Sequence, residues 1–271
     1  MTVTWPALRR ATPARIGLGR SGNALPTTAQ LDFQLAHARA RDAVHAALDA
    51  ERIVADLQAL GLEAPCLRSQ AVDRATYLRR PDLGRRLDLA SRQLLLRHSR
   101  ESGKPEQANE PLDPRPRGGD GQDAAAGPRI VFVIADGLSA TAVNAHAVPL
   151  IAAVIKASGG SRASIGAVAV VEQGRVAVGD EIGGLLGADL VAVLIGERPG
   201  LSAADSLGVY LTWAPAPGAV DAARNCISNI RAEGMPVPEA AAELIRLVAA
   251  ARQHRMTGIA LSRRLALVST L

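Results

Sequence analysis

The sequence predicts an α/β protein in which a smaller helical domain precedes a domain built on a mostly parallel β-sheet. Short apolar runs alternate with helix-like segments after residue 128, beginning with the run 130–136. Such alternation is typical of a parallel sheet that is covered by helices on both faces. The first hundred residues instead carry apolar side chains at helical spacing. We therefore expect a Rossmann-like domain that follows a helical one.

The composition excludes several classes of protein. With 271 residues, of which 48% are hydrophobic, the chain can build a core without a metal or a disulfide. Aromatic residues make up 2%, which leaves little for stacking against single-stranded nucleic acid. The net charge of +5 comes mostly from scattered arginines, so we expect solvated helix faces and no nucleic-acid interface, although an acidic protein partner fits this charge.

Cysteine use and apolar stretches indicate a compartment. Cys66 and Cys226 lie far apart without CxxC spacing, which argues against a metal site and for a reducing environment. No uninterrupted apolar stretch reaches the ~18 residues of a membrane span, and the amino terminus lacks the apolar core of a secretory signal. We expect a cytosolic protein with no membrane segment.

The chain divides into three predicted units. Residues 1–98 form an irregular arm and a helical domain, with a long helix over about 29–60 that we expect to be interrupted near Asp49. Residues 99–128 are rich in Pro, Gly and charge, which predicts a disordered linker. Residues 129–271 form the Rossmann-like domain. The GLGRSG run in the arm matches GxGxxG but has neither a strand before it nor a helix after it, so a dinucleotide site is not expected.

Strands and helices alternate in the third unit. We expect strands over 130–136, 163–171, 190–196 and 207–213, helices over 140–157, 180–187 and 238–253, and a helix or ordered loop over 221–231. Ser139 and Thr141 can cap the first of these helices, and Asp180 can cap the second. If the sheet is parallel, three sites lie at the carboxyl ends of consecutive strands and face one crevice, namely Asp136, the loop that contains Val176, and Glu197. Its small wall residues would let a bulky, flat ligand approach the backbone.

Each candidate residue also has a structural interpretation. Asp136 could satisfy the amino terminus of the next helix, Glu197 could pair with the adjacent Arg198, and Cys226 could be a small buried apolar residue. Histidines 37 and 45 share a helix face but have no other ligand at metal spacing, so packing or surface roles are expected. The sequence gives little support for Ser139 as the nucleophile of a hydrolase, since the closing glycine of a nucleophile elbow is absent and no base is suitably spaced.

Seven motifs together carry a resemblance to a known family. They are TPARIGLGRSG (12–22), LPTTAQLDFQLAHARARDAVH (25–45), YLRRPDLGRRL (77–87), VIADGLSATAV (133–143), QGRVAVGDEIGGLLGA (173–188), IGERPGLSAADSLGVYLTWAP (195–215) and RNCISNIRAEG (224–234). This set resembles the small subunits of ethanolamine ammonia-lyases, adenosylcobalamin-dependent enzymes that convert ethanolamine to acetaldehyde and ammonia.

The resemblance implies a cofactor, a partner and three site residues. In the family, both domains of the small subunit contribute to a cobalamin site at the interface with a large, barrel-shaped subunit. The cobalamin contacts of the family match Val176, Glu197 and Cys226 here. The residues that act on the substrate belong to the large subunit, so the resemblance implies no catalytic residue and no protein metal ligand in this chain.

The resemblance also bears on cofactor mode and location. Cobalamin domains that replace the cofactor's own base use a histidine in DxHxxG, and no histidine of this chain has Asp two residues before it. We therefore expect base-on binding.

The 99–128 segment is longer than the family's usual turn. The segment before TPARIG is short, whereas some relatives carry an extension that directs the enzyme into a bacterial microcompartment. The expected location is the bacterial cytoplasm, with encapsulation left open. The alternative function is a free-standing ligand-binding or hydrolytic α/β domain that uses the turn 136–141.

Overall fold

The computed structural model describes residues 4–101, 129–159 and 165–268, with the backbone alone described for 98–101 and 268. The helices are α1 Trp5–Arg10, α2 Thr27–His45, α3 Ala50–Ala59, α4 Arg74–Arg79, α5 Leu89–Glu101, α6 Ala140–Ala157, α7 Val178–Leu185, α8 Val237–His254 and α9 Gly258–Val268. The strands are β1 Cys66–Arg68, β2 Ile130–Ala135, β3 Ile165–Glu172, β4 Leu190–Gly196, β5 Leu207–Trp213 and β6 Arg224–Ile230. All but the first three residues of the predicted 99–128 linker lie outside the described residues.

The strands form one mixed sheet in the order β1-β3-β2-β4-β5-β6. β1, β3, β2 and β4 pair in parallel, whereas β4–β5 and β5–β6 are antiparallel. The α/β class is as expected, but the mostly parallel, Rossmann-like sheet is not confirmed. The connections explain the difference, because 197–206 contains no helix and 214–223 contains only a 3₁₀ turn at Asp221–Ala223. Such connections suit antiparallel neighbours, while a parallel pair needs a longer crossover.

Two segments of the third unit differ from the sequence prediction. The expected helix or loop over 221–231 is largely the edge strand β6, whose polar residues conceal its strand pattern. Helix α7 begins at Val178, so Asp180 lies inside the helix, where it is buried and does not act as the cap. In contrast, the predicted interruption near Asp49 is confirmed, since Asp49 caps α3 through a 3.2 Å hydrogen bond to the Arg52 N–H.

The sheet carries a hydrophobic layer on each face. Phe132 and Ile134 point to the layer formed with α3, α6 and α8, while Val131 and Val133 point to the layer formed with α5 and α7. Every residue of β2 is buried, as expected for a central strand. Within the described part of the chain, α6 alone has the length and apolar character of a membrane span. A buried core helix passes the same test, and α6 packs against the sheet and α8.

The segment before residue 98 contributes to the same sheet. Strand β1 pairs with the edge of β3, and α3 packs against α6 and β3. The loop around Gly84 contacts the segment after β3, with the Arg175 N–H donating to the Gly84 carbonyl at 2.8 Å. These contacts bring α4 to the carboxyl ends of the central strands. The division into units at 98 and 129 stays a prediction.

Candidate functional site

A hollow of about 440 Å³ lies at the carboxyl ends of β2, β3 and β4. These three strands are parallel neighbours in the sheet, and the loop that follows each of them lines the hollow. Parallel sheets usually bind ligands at this position, outside the carboxyl ends of their strands. Helix α4 and strand β5 complete the wall. The lining residues are Tyr77, Gly137, Leu138, Arg175, Val176, Ile195, Gly196, Glu197, Arg198 and Tyr210. We refer to this space as the hollow.

The floor of the hollow is backbone. Gly137 has φ +59°, and a Cβ atom at this position would overlap the carbonyl oxygen of Gly196. A Cβ atom on Gly196 would in turn overlap the carbonyl of Ser139. The Leu138 N–H donates to the Gly196 carbonyl at 2.9 Å and joins the two turns. Glycine is therefore required at both positions, and a ligand can approach the main chain closely.

Asp136 is buried beside this floor and joins two turns. Its Oδ1 accepts hydrogen bonds from the N–H groups of Gly137 at 3.0 Å and Gly174 at 2.9 Å. Its Oδ2 lies 3.6 Å from Nη1 of Arg74. Burial raises the pKa of Asp136 to about 6, although Arg74 and the backbone donors favour the ionised form. Helix α6 is capped instead by Ser139, so the capping interpretation of Asp136 is wrong.

A stack of side chains positions the wall next to Val176. The guanidinium carbons of Arg74 and Arg175 lie 4.7 and 4.4 Å from the ring centroid of Tyr77, within the range of cation–π attraction. Nη2 of Arg175 also donates to the Tyr77 carbonyl at 2.9 Å. Tyr77 is buried, and this burial raises its pKa to about 12. The stack fixes Arg175 and, with it, the half-buried Val176 at the edge of the hollow.

Glu197 is a hydrogen-bond acceptor in the lining of the hollow. Its Oε2 accepts from the Ser206 hydroxyl and from the Asn229 N–H, the latter at 3.2 Å. Gly208 leaves room for this carboxylate, because a Cβ atom there would lie 2.9 Å from Oε1. Glu197 and Arg198 are both described, and no ion pair joins them. The ion-pair interpretation is therefore wrong, and Arg198 is exposed at the rim.

Cys226 lies next to the hollow and not in its lining. It is the cross-strand partner of Tyr210, and its thiol is a hydrogen-bonding neighbour of the Tyr210 hydroxyl. The residue is exposed, which overturns the buried-residue interpretation. Packing around the sulfur, and secondarily the charge of Glu197, outweigh the hydrogen bond and raise the pKa of the Cys226 thiol. The structure thus gathers Val176 and Glu197 in one hollow, with Cys226 behind Tyr210.

Sequence reasoning overlooked several residues of the site. Arg74 and Tyr77 come from α4, far from the third unit in sequence, and Tyr210 lies within a strand. The scarcity of tyrosine is the one signal that the sequence offers. The chain has only two tyrosines, and both line the hollow. Ser139 is fully buried and donates its hydroxyl to the Ala204 carbonyl at 2.7 Å, so it is poorly placed to act as a nucleophile.

Comparisons with known proteins agree on one family. The family model described as Ethanolamine ammonia-lyase light chain (EutC) matches residues 3–262. The chain is 51% identical over 263 residues to an ethanolamine ammonia-lyase small subunit from Ralstonia nicotianae, covering 95% of this chain and 87% of the relative. Proteins of the same name from Azotobacter vinelandii and Bradyrhizobium diazoefficiens are each 49% identical, covering 95% and 94% of this chain and 87% and 88% of the relatives.

Proposed function

The chain belongs to the ethanolamine ammonia-lyase light-chain family, and from that premise we propose that it forms one wall of an adenosylcobalamin site facing a large catalytic subunit. As a family member it is a subunit of a lyase complex. The observation that carries the proposal is the hollow, which Val176 and Glu197 both line, after the carboxyl ends of β3 and β4 on either side of the central strand β2.

The residues of the hollow suit a corrin ring with amide side chains. The glycine floor lets a flat ring approach the backbone, and Val176 offers an apolar contact. Glu197 can accept hydrogen bonds from amide N–H groups, and Arg198 can donate to amide oxygens or to the phosphate of the nucleotide tail. A hollow of about 440 Å³ falls in the size range of drug-sized ligands. Cobalamin is larger, so a second protein surface must cover the rest of it.

The chain's own part in the reaction is to bind and orient the cofactor. When bound, adenosylcobalamin supplies a carbon-centred radical through homolysis of its cobalt–carbon bond. Glu197 would hold the edge of the ring, while the turns at Gly137 and Gly196 would support it and exclude water. We assign the groups that act on ethanolamine to the large subunit, so no residue of this chain is proposed to be catalytic.

We propose that the cofactor keeps its own dimethylbenzimidazole base. None of the ten residues that line the hollow is a histidine, and no histidine of the chain has the DxHxxG spacing. Electron spin resonance of the cob(II)alamin-loaded complex, prepared from ¹⁵N-histidine-labelled protein, should show hyperfine coupling that is insensitive to the label. Coupling that changes with the label would indicate a protein imidazole on cobalt. The enzyme would act in the bacterial cytoplasm, and fractionation of cell extracts would show whether a microcompartment encloses it.

Replacement of Glu197 by Ala tests the proposal directly. We expect the co-expressed complex to lose about 1–3 kcal/mol of adenosylcobalamin binding free energy, because a partly buried acceptor for the ligand is removed. The change is measured by absorbance titration of the assembled enzyme. Glu63→Ala is the matched control, since Glu63 is an exposed carboxylate outside the hollow. Equal titrations for Glu197→Ala and the unmodified complex would remove Glu197 from the site.

The competing function, a free-standing hydrolytic or ligand-binding domain, predicts a different outcome. The buried, hydrogen-bonded Ser139 argues against it. We expect deamination of ethanolamine only when the chain, the large subunit and adenosylcobalamin are combined. Turnover by the isolated chain would favour the competing function.

A further inference from the structure

Tyr210 belongs to β5, the strand between β4, which Glu197 follows, and β6, which carries Cys226. In the sheet its neighbours are Val193 on β4 and Cys226 on β6. The side chain is half-buried, packs against the apolar layer below the sheet and lines the hollow. Glu197 also lines the hollow, and its charge is one of the causes that raise the pKa of the Tyr210 hydroxyl. Tyr210 is therefore closer to the space for a ligand than Cys226, which does not line it.

The hydroxyl of Tyr210 keeps most of its hydrogen-bonding capacity. Its cross-strand neighbour is Cys226, and the thiol of that residue is a weak donor and a weak acceptor. A phenol can donate one hydrogen bond and accept two. A partly desolvated hydroxyl with one weak partner costs free energy unless a further polar group meets it. The hollow is the open space beside it.

Glu197 and Tyr210 offer complementary chemistry. A carboxylate only accepts hydrogen bonds, and Oε1 of Glu197 accepts none from the residues that the structure describes. A phenol can donate as well. One primary amide, which has N–H donors and an oxygen acceptor, can therefore be bound by both side chains at once.

We propose that Tyr210 is a further cofactor-binding residue, which donates its hydroxyl proton to an amide oxygen at the edge of the corrin ring. Cys226 is then a positioning residue, whose thiol orients the hydroxyl and acts on the cofactor through Tyr210. This inference rests on the proposed function, because the amide belongs to the cobalamin that the hollow is proposed to bind.

A double-mutant cycle in the assembled complex tests the proposal. The probe is adenosylcobalamin, and the readout is its dissociation constant from absorbance titration. Tyr210→Phe, which keeps the ring and its packing, should weaken binding about 5- to 15-fold, the effect of one lost hydrogen bond. Cys226→Ala should weaken binding by a smaller factor, and Cys226→Ser, which retains a hydrogen-bonding group, should restore most of it. Ser228→Ala, an exposed position on the same strand, is the control.

The double variant distinguishes the two roles. If Cys226 acts through Tyr210, Tyr210→Phe combined with Cys226→Ala should bind no more weakly than Tyr210→Phe alone. Independent, multiplying losses would overturn the positioning role of Cys226. Binding by Tyr210→Phe within twofold of the unmodified complex would overturn the role of Tyr210. Failure of the unmodified complex to bind adenosylcobalamin would instead reject the proposed function, so the two failures are distinguishable.

Discussion

Asp136 is a carboxyl group on which burial and hydrogen bonding act in opposite directions. Two backbone N–H groups and Arg74 stabilise the carboxylate, yet the side chain is almost completely buried. Removal from water is the larger effect, and the pKa of Asp136 rises to about 6. The group therefore titrates in a range where an ordinary carboxyl is already ionised.

The raised pKa of Asp136 predicts a pH-dependent stability. Between about pH 4 and pH 6 the folded chain retains a proton at Asp136 that the unfolded chain has lost. The contribution of Asp136 to the free energy of unfolding should thus be fully present below about pH 4, fall by roughly 2–3 kcal/mol as pH rises through 6, and level off near pH 7. Asp136→Asn should lack this fall.

Urea denaturation of the full chain at several pH values measures the effect as a difference between variants. Asp32→Asn, at an exposed position on α2, controls for the loss of a carboxyl group. Parallel curves for Asp136→Asn and the unmodified chain across pH 4–6 would contradict the assignment.

At single residues, sequence reasoning found the positions and mistook several of the roles. Val176, Glu197 and Cys226 came from the resemblance, and strand ends alone placed Asp136, the loop that contains Val176, and Glu197 at one crevice. The contact partners of these residues could not be predicted from the sequence, because Arg74 and Asp136, for example, lie 62 positions apart in the chain. No local pattern indicates a contact that only the folded chain makes.

The turn between β2 and α6 depends on glycine for two separate reasons. Gly137 has a left-handed backbone and also lies against the Gly196 carbonyl. Gly187, which ends α7, has nearly the same φ of +58° but has no atom near its absent side chain. The two positions therefore separate backbone strain from steric overlap.

We predict unequal effects of alanine at these two glycines. Gly187→Ala should cost about 1 kcal/mol, the strain of a left-handed backbone. Gly137→Ala should cost several times more, because β2 and β4 must also move apart, and it should abolish adenosylcobalamin binding. Urea denaturation and cofactor titration measure the two effects. Similar stabilities for both variants would show that the contact at Gly137 is easily relieved.

The buried ion pair between α7 and β6 leads to a further prediction. Both carboxylate oxygens of Asp180 accept from Arg224, at 2.6 and 2.7 Å, and both side chains are buried. Asp180→Ala should destabilise the chain by about 3–5 kcal/mol, because it leaves the buried guanidinium with only the solvent-exposed Asp221, 3.5 Å from its Nε, as a counter-ion.

Two comparisons control the ion-pair prediction. Glu243→Ala breaks the more exposed pair with Arg246 on α8 and should cost at most about 1 kcal/mol. Asp180→Leu combined with Arg224→Met should recover much of the stability, since no buried charge then remains. The prediction fails if Asp180→Ala is no more harmful than Glu243→Ala in urea denaturation.

Secondary elements were predictable where the apolar pattern is strong. The limits 190–196 and 207–213 coincide with β4 and β5. Strand β6 was missed because Asn225, Ser228 and Asn229 interrupt its apolar residues on an edge strand. The antiparallel direction of β5 was indicated by the predicted limits themselves, because the connection 197–206 between them is shorter than the roughly dozen residues that a parallel crossover needs. The alternation of apolar runs was followed instead, and it does not distinguish the two directions.

The whole molecule draws its hollow from both sides of the predicted linker. Tyr77, which lines the hollow, precedes the linker, whereas Val176 and Glu197 follow it. Composition alone predicts a separable segment over 99–128. It does not predict that β1 joins the sheet of the later strands, because a three-residue strand with polar neighbours carries little pattern.

This arrangement predicts that a cleaved chain stays assembled. Limited trypsin treatment should cut first within 99–128, for example after Arg117, since the composition of this segment is typical of an accessible linker. The two fragments should then elute together in size-exclusion chromatography, because β1 remains paired with β3 and α3 remains packed on α6. In urea they should separate. Co-elution with retained binding of adenosylcobalamin in the presence of the large subunit would indicate that the linker holds no part of the hollow. Separation without denaturant would mean that the sheet and core contacts between the fragments are too weak to hold them together.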